Sequence, residues 1–442
     1  MATAASFDTT EFHFNAGLGA TNPVPAYVTG AAGAGITVAL VDSGLDVTSA
    51  EFSGRVAAAS RDVAGNRTIQ DVDGHGNLVA QVLAAARNDT AGHGIAYESN
   101  LMVLRTDDPG TCVSATGCSF LDSDIATAVD TAVANGARVI NISLGGAASA
   151  NPTLTRAFRN AVQAGVVVVL SAGNDAQVNP DQFALNAYLD NAASGLLLVA
   201  GALDPATGQI TSFSNRAGTS ANGYMLAPGT NLQLIDLHGN PVLGSGTSFA
   251  APYIAGAVAI LLQAFPSLTP KSAVDLLKQS ATDLGAAGVD SVFGWGALDL
   301  GNAFQPQGRT TTALKTASVV SLSAPNLDVG AALGDAAQLT QALRAVSIVD
   351  GYGRPYTANL GATLARSHGA HPLPRRAGAV QRPGARAVQG SARNRPPLRR
   401  AAAGAEQLGV PAAAAEAERR RPGPAGDERA AGTGLPVGRA DG

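Results

Sequence analysis

Cysteine is almost absent: Cys112 and Cys118 are the only two in 442 residues. They lie close together in DDPGTCVSATGCSF, without the histidines and further cysteines that a zinc site needs. A local disulfide formed in an oxidising compartment is the preferred reading, with two inert free thiols as the alternative. Charged residues make up 14% and aromatics 5%, with a single tryptophan, which excludes a coiled coil and a wholly disordered, highly charged chain. No uninterrupted apolar run approaches the roughly 18 residues of a membrane helix, so no membrane span is expected. The N-terminal MATAASFDTTEFHF has neither the basic n-region nor the apolar h-region of a signal peptide. What abounds is apolar and small. Hydrophobic residues reach 46% and glycines number 52, which suits a globular protein with many turns.

The net charge of −4 hides two different materials. Residues 1–365 carry 15 basic against 27 acidic residues, whereas 366–442 carry 14 arginines against 6 acids. The latter stretch is dense in Ala, Arg, Pro and Gly, cannot bury enough apolar surface to offset the entropy of ordering, and reads as disordered. Its composition also fits a GC-rich gene read out of frame. An arginine-rich tail could bind nucleic acid, but it lacks aromatics or a repeated unit, so no nucleic-acid partner is expected. Residues 307–365 read as a loose, β-like linker and 1–14 as an N-terminal extension.

Between them, buried strands are expected at 36–42, 101–105, 137–144, 165–173 and 195–203, each a short Val/Ile/Leu run bounded by glycine or polar residues. Helical patterns at 78–87, 122–136 and 155–165 alternate with them, which predicts a mostly parallel α/β sheet with helices on both faces. Ligands bind such sheets beyond the carboxyl ends of the strands. Functional residues should therefore follow the strands.

Four residues meet that rule or stand beside it. Asp42 ends ITVALVD, where a buried acid is costly unless paired, although an Asx-turn acid would look the same. His75 lies between glycines at a helix entrance, with His93 in a similar setting as its competitor. Ser248, in GSGTSFAAP, is either an ordinary helix N-cap or a held-out nucleophile. Asn174, in VVVVLSAGND, supplies an amide at a strand end, or is only a turn residue. A serine hydroxyl becomes nucleophilic when a histidine takes its proton and a carboxylate orients that histidine. The chain order Asp, His, Ser and the absence of a GxSxG elbow disfavour an α/β-hydrolase.

VALVDSGLD, DGHGNLVA, VINISLGG, VVVLSAGN and GTSFAAP together resemble the signatures of the subtilisin-like serine peptidases, across residues 15–306. The resemblance implies a subtilase three-layer α/β/α sandwich with Asp42 as orienting acid, His75 as general base and Ser248 as nucleophile. Asn174 and the Ser248 amide would form the oxyanion hole, and Ser143, Leu144, Gly145, Gly146, Ala172 and Gly173 would line the substrate cleft. The flanks resemble the peptidase passenger domain of bacterial autotransporters, with SIVDGYGRPYTANL like the segment before the translocator barrel. Secretion or a place on the bacterial surface follows from that resemblance, with protein or peptide substrates, a monomeric state and no required cofactor. Asp46 and Asn88 match calcium-binding positions of some subtilases. Small, apolar lining residues suggest a large uncharged side chain before the cut. Three positions depart from the family: Asn77 stands where threonine is usual, Gln81 where glycine is common, and Phe249 where methionine is frequent. Asn77 and Gln81 lie on the helix of His75 and leave open a rival reading, a catalytically weak or inactive subtilase fold acting as a binding or adhesion module.

Overall fold

The computed structural model describes residues 2–112, 117–147, 151–313, 319–321, 327–328, 341, 343–359 and 364–365. Its centre is a parallel sheet of β1 (Thr37–Asp42), β2 (Arg61–Asp62), β3 (Asn100–Arg105), β4 (Val139–Ile142), β5 (Val167–Ser171), β6 (Leu197–Leu203) and β7 (Tyr224–Pro228), in the order β2-β3-β1-β4-β5-β6-β7. Their hydrophobic runs are continuous because both faces are covered. In β1, Val38 and Leu40 enter one core layer while Ala39 and Val41 enter the other. In β5, Val167 and Val169 oppose Val168 and Leu170 in the same way. The chain turns from one side of β1 to the other between β3 and β4, so the crevice beyond β1 and β4 is the switch point where ligands bind in open α/β sheets.

Three short helices, α1 (Thr10–Phe14), α2 (Ala16–Ala20) and α3 (Val24–Val28), precede the sheet. Phe7 and Phe12 of the N-terminal stretch are buried, Phe7 against Tyr27 and Phe12 against His93. One face of the sheet carries α4 (His75–Ala84) and the other α5 (Asp122–Ala134), α6 (Pro152–Gln163) and α7 (Gln182–Asn191). On the α4 face lie α8 (Thr247–Ala264) and α9 (Pro270–Ser280), followed by the short α10 (Leu300–Ala303). By length and composition α8 could cross a membrane, but 83% of that window is buried inside the fold, so it is the central core helix. The expectation of no such segment counted uninterrupted apolar runs. Here Thr247, Ser248, Pro252 and Gln263 break the run without breaking the helix.

The strands stand where the sequence places them, four of them shortened by one or two residues at an end and β3 starting one residue earlier. Helix 78–87 begins and ends three residues earlier than expected, so His75 is its first residue. A hairpin of β8 (Leu232–Ile235) and β9 (Pro241–Gly244) leads straight into α8.

Beyond α10 lie β10 (Thr311–Ala313), β11 (Val319–Ser321), β12 (Leu327–Asp328), β13 (Val346–Val349), β14 (Pro355–Ala358) and β15 (Leu364–Ala365), with β13 and β14 paired antiparallel. The arginine-rich stretch 366–442 and part of 307–365 fall outside the described residues. The turn between β13 and β14 is fastened to the domain by Arg354, which is fully buried. Its guanidinium pairs with Asp350 at 2.7 Å, donates to the carbonyls of Ala303 and Gln305, and stacks 4.8 Å from the Phe265 ring. Burial alone would raise the Asp350 carboxyl, but Arg354 holds it below the usual carboxylate range. Removing one member of a buried ion pair strands the other charge. Arg354→Ala should therefore cost about 3–5 kcal/mol, read as a lower denaturation midpoint of the full chain.

Candidate active site

Asp42 ends β1 at 1% exposure, and the fold compensates its charge locally. Oδ1 accepts the Ser43 backbone N–H at 2.8 Å and meets His75 Nδ1 at 2.8 Å. Oδ2 is buried with no hydrogen-bond partner among the described residues. The His75 side chain keeps 32% exposure, so one ring nitrogen is tied to the acid while the ring reaches the surface. Burial pulls the imidazole down. The charge and hydrogen bond of Asp42, with Asp73 and Asp71 nearby, outweigh it and push the pKa up to about 9.

The approach of α4 to β1 depends on Gly76. A Cβ there would lie 2.5 Å from the Gly44 carbonyl oxygen and 3.2 Å from Asp42 Cβ. Its N–H donates to Ser43 Oγ at 2.9 Å, stitching the helix start to the turn after the strand. Asp71 gathers the other free amides of this helix end, accepting Gly74 N–H at 2.9 Å on Oδ1 and Asn77 N–H at 2.8 Å on Oδ2. Burial raises the Asp71 carboxyl, an effect its backbone hydrogen bonds oppose.

The two departures on α4 are absorbed into this framework. Asn77 Oδ1 accepts the Asp46 N–H at 3.2 Å. Gln81 donates to the Ile235 carbonyl at 2.7 Å and accepts the Ile235 N–H at 3.0 Å, so its amide pairs with β8 as a neighbouring strand would. The helix of His75 is thereby clamped to the hairpin that leads into Ser248.

Ser248 is the second residue of α8, whose N-cap is Gly246, so the serine is not the cap. Gly246 has φ 154° and ψ 155°, a conformation essentially confined to glycine, and a Cβ there would lie 2.9 Å from Ser248 Oγ. Pro252, inside the helix, has no N–H to offer the Ser248 carbonyl four residues back. The Ser143 hydroxyl donates to that carbonyl instead, at 2.7 Å, and accepts from Asn141 Nδ2 at 2.9 Å. Thr247 fixes Asn174: its N–H and Oγ1 both donate to Asn174 Oδ1, at 2.8 and 3.0 Å. With the oxygen engaged, the exposed Asn174 is left with its Nδ2 hydrogens to donate. The Ser248 amide lies in the first turn of α8, where N–H groups lack intrahelical acceptors. The His75 ring stands 6.0 Å from that of Phe249, and no hydrogen bond joins Ser248 Oγ to His75 among the described residues.

The family model for the subtilases matches residues 33–296. The chain belongs to the subtilase family. It is 30% identical to subtilisin DY of Bacillus licheniformis over 57% of this chain and 86% of that protein. It is 27% identical to an extracellular serine protease of Serratia marcescens over 67% of this chain, and spans only 34% of that protein's length. To the Neisserial autotransporter lipoprotein NalP of Neisseria meningitidis it is 34% identical, over 36% of this chain and 16% of NalP. Family and relatives support a serine peptidase.

In this subtilase, Ser143–Gly146 continue from β4 and Ala172–Asn174 from β5, with Ser171 Oγ donating to the Leu144 carbonyl at 2.9 Å to hold the two together. Gly145 and Gly146 are exposed and border a cleft of about 320 Å³ shared with Phe120, Phe183 and Cys118. Cys112 and Cys118 are joined as a disulfide. His93 is a buried structural residue: Nδ1 meets the Gly94 carbonyl at 2.9 Å, the ring lies among Phe12, Tyr27 and Tyr97, and burial lowers its pKa to about 4. Asp46 and Asn88 supply two ligands at most, and among the described residues no group of three or more His, Cys, Asp or Glu side chains is placed to hold a metal ion. Asp46 Oδ1 already accepts from Thr48, Asn88 bonds Glu51 and Thr90, and calcium takes 6–8 oxygens.

Sequence reading passed over Asp71 and Asn215. Asn215 Oδ1 accepts from Asp175 and Gln177, and its Nδ2 donates to the Ala172 carbonyl at 2.9 Å, so it shapes the loop that carries Asn174. Asp71, three residues before Gly74 in DVDGHG, was findable as a turn acid; Asn215 carries no local signal.

Two measurements check this framework. In an NMR titration, His75 should show a midpoint near pH 9, and Asp42→Asn, which removes the charge that raises it, should move that midpoint downward. Gln81→Ala should leave the Ile235 amide without its acceptor and speed its hydrogen exchange at least tenfold (about 1.4 kcal/mol), while amides in β5 stay protected.

Proposed function

We propose that this subtilase is a serine endopeptidase that cuts peptide bonds through an acyl-enzyme, with Asp42, His75 and Ser248 as its triad. His75 in its neutral form, the minority form below its midpoint near pH 9, takes the Ser248 hydroxyl proton as Oγ attacks the scissile carbonyl, and the buried Asp42 stabilises the imidazolium. Activity should therefore rise with pH toward that midpoint. The oxyanion is held by Asn174 Nδ2 and the Ser248 N–H, the latter aided by the positive end of α8. His75 then returns the proton to the leaving amine, and a water molecule, deprotonated by the same imidazole, releases the acyl group. Substrate backbone pairs with Ser143–Gly146 as an added strand.

The observation that carries this reading is Thr247 holding Asn174 by its oxygen. A turn asparagine needs no such orientation, whereas an oxyanion donor does. Names of relatives, one an extracellular protease and another an autotransporter lipoprotein, support secretion, and an oxidising destination suits the Cys112–Cys118 bond. The rival, a non-catalytic binding module, draws on the missing Ser248–His75 hydrogen bond. Catalytic contacts are often long without substrate and tighten when it binds, so the missing bond alone does not favour the rival.

Fluorophosphonate labelling decides between them. The parent chain should be labelled at Ser248 and Ser248→Ala should not. A folded parent that resists the probe would give the binding-module reading precedence.

A further inference from the structure

Between the segments Ser143–Gly146 and Ala172–Asn174 stands a carboxylate that neither the triad nor the oxyanion donors use. Asp181 precedes α7 and touches both walls. Its backbone N–H donates to the Ala172 carbonyl at 2.8 Å, and its Oδ2 accepts the Gly146 N–H at 3.1 Å. A Cβ on Gly145 would overlap Oδ2, and one on Gly173 would come within 3.2 Å of Asp181 Cβ. Glycine on each wall therefore leaves room for this side chain.

Capping α7 does not explain an aspartate here. The cap requires one acceptor, which Oδ1 provides to the Ala184 N–H at 2.8 Å, and asparagine or serine would serve as well. The fold uses both oxygens as acceptors, Oδ1 at the cap and Oδ2 at Gly146, but no described residue supplies a cation for the charge. Asp181 makes no ion pair among the described residues, and a part-buried carboxylate without a cation is a cost. Its other neighbours, Gly145, Gly146, Ala172, Gly173 and Asn215, are neutral.

We infer that Asp181 is the specificity-determining residue of this cleft, receiving the cationic side chain of a Lys or Arg that precedes the scissile bond. The inference rests on the peptidase reading above and departs from the large uncharged residue that the small, apolar lining suggests. Electrostatics add a pH signature. Burial pushes the Asp181 carboxyl up to about 6; the Ala184 and Gly146 N–H groups oppose the rise, and the charge of Asp175 adds to it. Above that value Asp181 is negative and attracts a cation. Below it the carboxyl is neutral, and the attraction is lost.

The test uses the full chain and matched peptides that differ only in the residue before the cut: arginine, its neutral isostere citrulline, and leucine. At pH 8 kcat/KM for arginine should exceed that for citrulline by about 100-fold, the scale of a hydrogen bond to a charged group. That ratio should fall below about tenfold at pH 5, and in Asp181→Asn at pH 8, since asparagine keeps the cap. Should the variant not fold, the parent's ratio at the two pH values decides alone. Equal cleavage of arginine and citrulline at pH 8, or a preference for leucine, would overturn the inference. Probe labelling separates the failures: a labelled Ser248 with no basic preference sinks Asp181 alone, whereas an unlabelled folded chain sinks the peptidase reading and this one with it.

Discussion

A carboxylate at the end of a buried strand is the constraint around which this site is built. Water cannot solvate Asp42, so the fold brings an amide from the next residue and an imidazole from 33 positions along the chain. The imidazole arrives only because Gly76 lets a helix start press against the turn at Gly44. Two further groups hold that helix start, the Ser43 hydroxyl and the Asp71 carboxylate, each satisfying amides that a helix leaves open. A charge that is expensive to bury thus dictates a strand end, a turn and the first turn of α4. The raised basicity of His75 is the other side of the same bargain.

The opposite side of the site is organised by missing hydrogen bonds. Pro252 withholds the donor that the Ser248 carbonyl would have used, and Ser143 from β4 supplies one. The segment after β4 and the turn of Ser248 are tied by a bond that a regular helix would not have needed. Thr247 ties the second wall, accepting from the Gly173 N–H at 3.0 Å while it orients Asn174. Gln81 then joins the two halves, since it grips β8 from the helix that begins with His75. A residue that looks too large for its position by family habit has become a fastener.

Strand placement was legible because burial on both faces leaves no alternative to continuous Val, Ile and Leu, as in VVVVL of β5. The edge strand β7 escaped notice: YMLAP is short and ends in proline, which a sheet tolerates at its margin. The β8–β9 hairpin carried its period-two signal in Leu232 and Leu234, with the turn residues of DLHGN, and was overlooked beside the louder motif that follows. Asp42, His75, Asn174 and Ser248 could be named because each sits at a strand or helix end with glycines beside it. Asn215, Asp71 and Asp181 act through backbone groups that only the fold brings near them, and no local pattern distinguishes them from ordinary turn residues. Asn77 and Gln81 were legible as oddities, but their partners, Asp46 and Ile235, were not.

The Arg354 fastening has a bearing on how the chain could be processed. Helix α8 runs from Ser248 in its first turn to Ala264, and eighteen residues at 1.5 Å each span about 27 Å. Phe265, on which Arg354 stacks, follows at the far end. The turn at Asp350–Arg354 is thus anchored a full helix length from Ser248, its flanking strands held by a buried ion pair and two carbonyls. A molecule so built does not present this stretch to its own cleft. For the proposed peptidase, severing the chain here is a job for a second copy or another protease, acting in trans, unless the guanidinium first lets go.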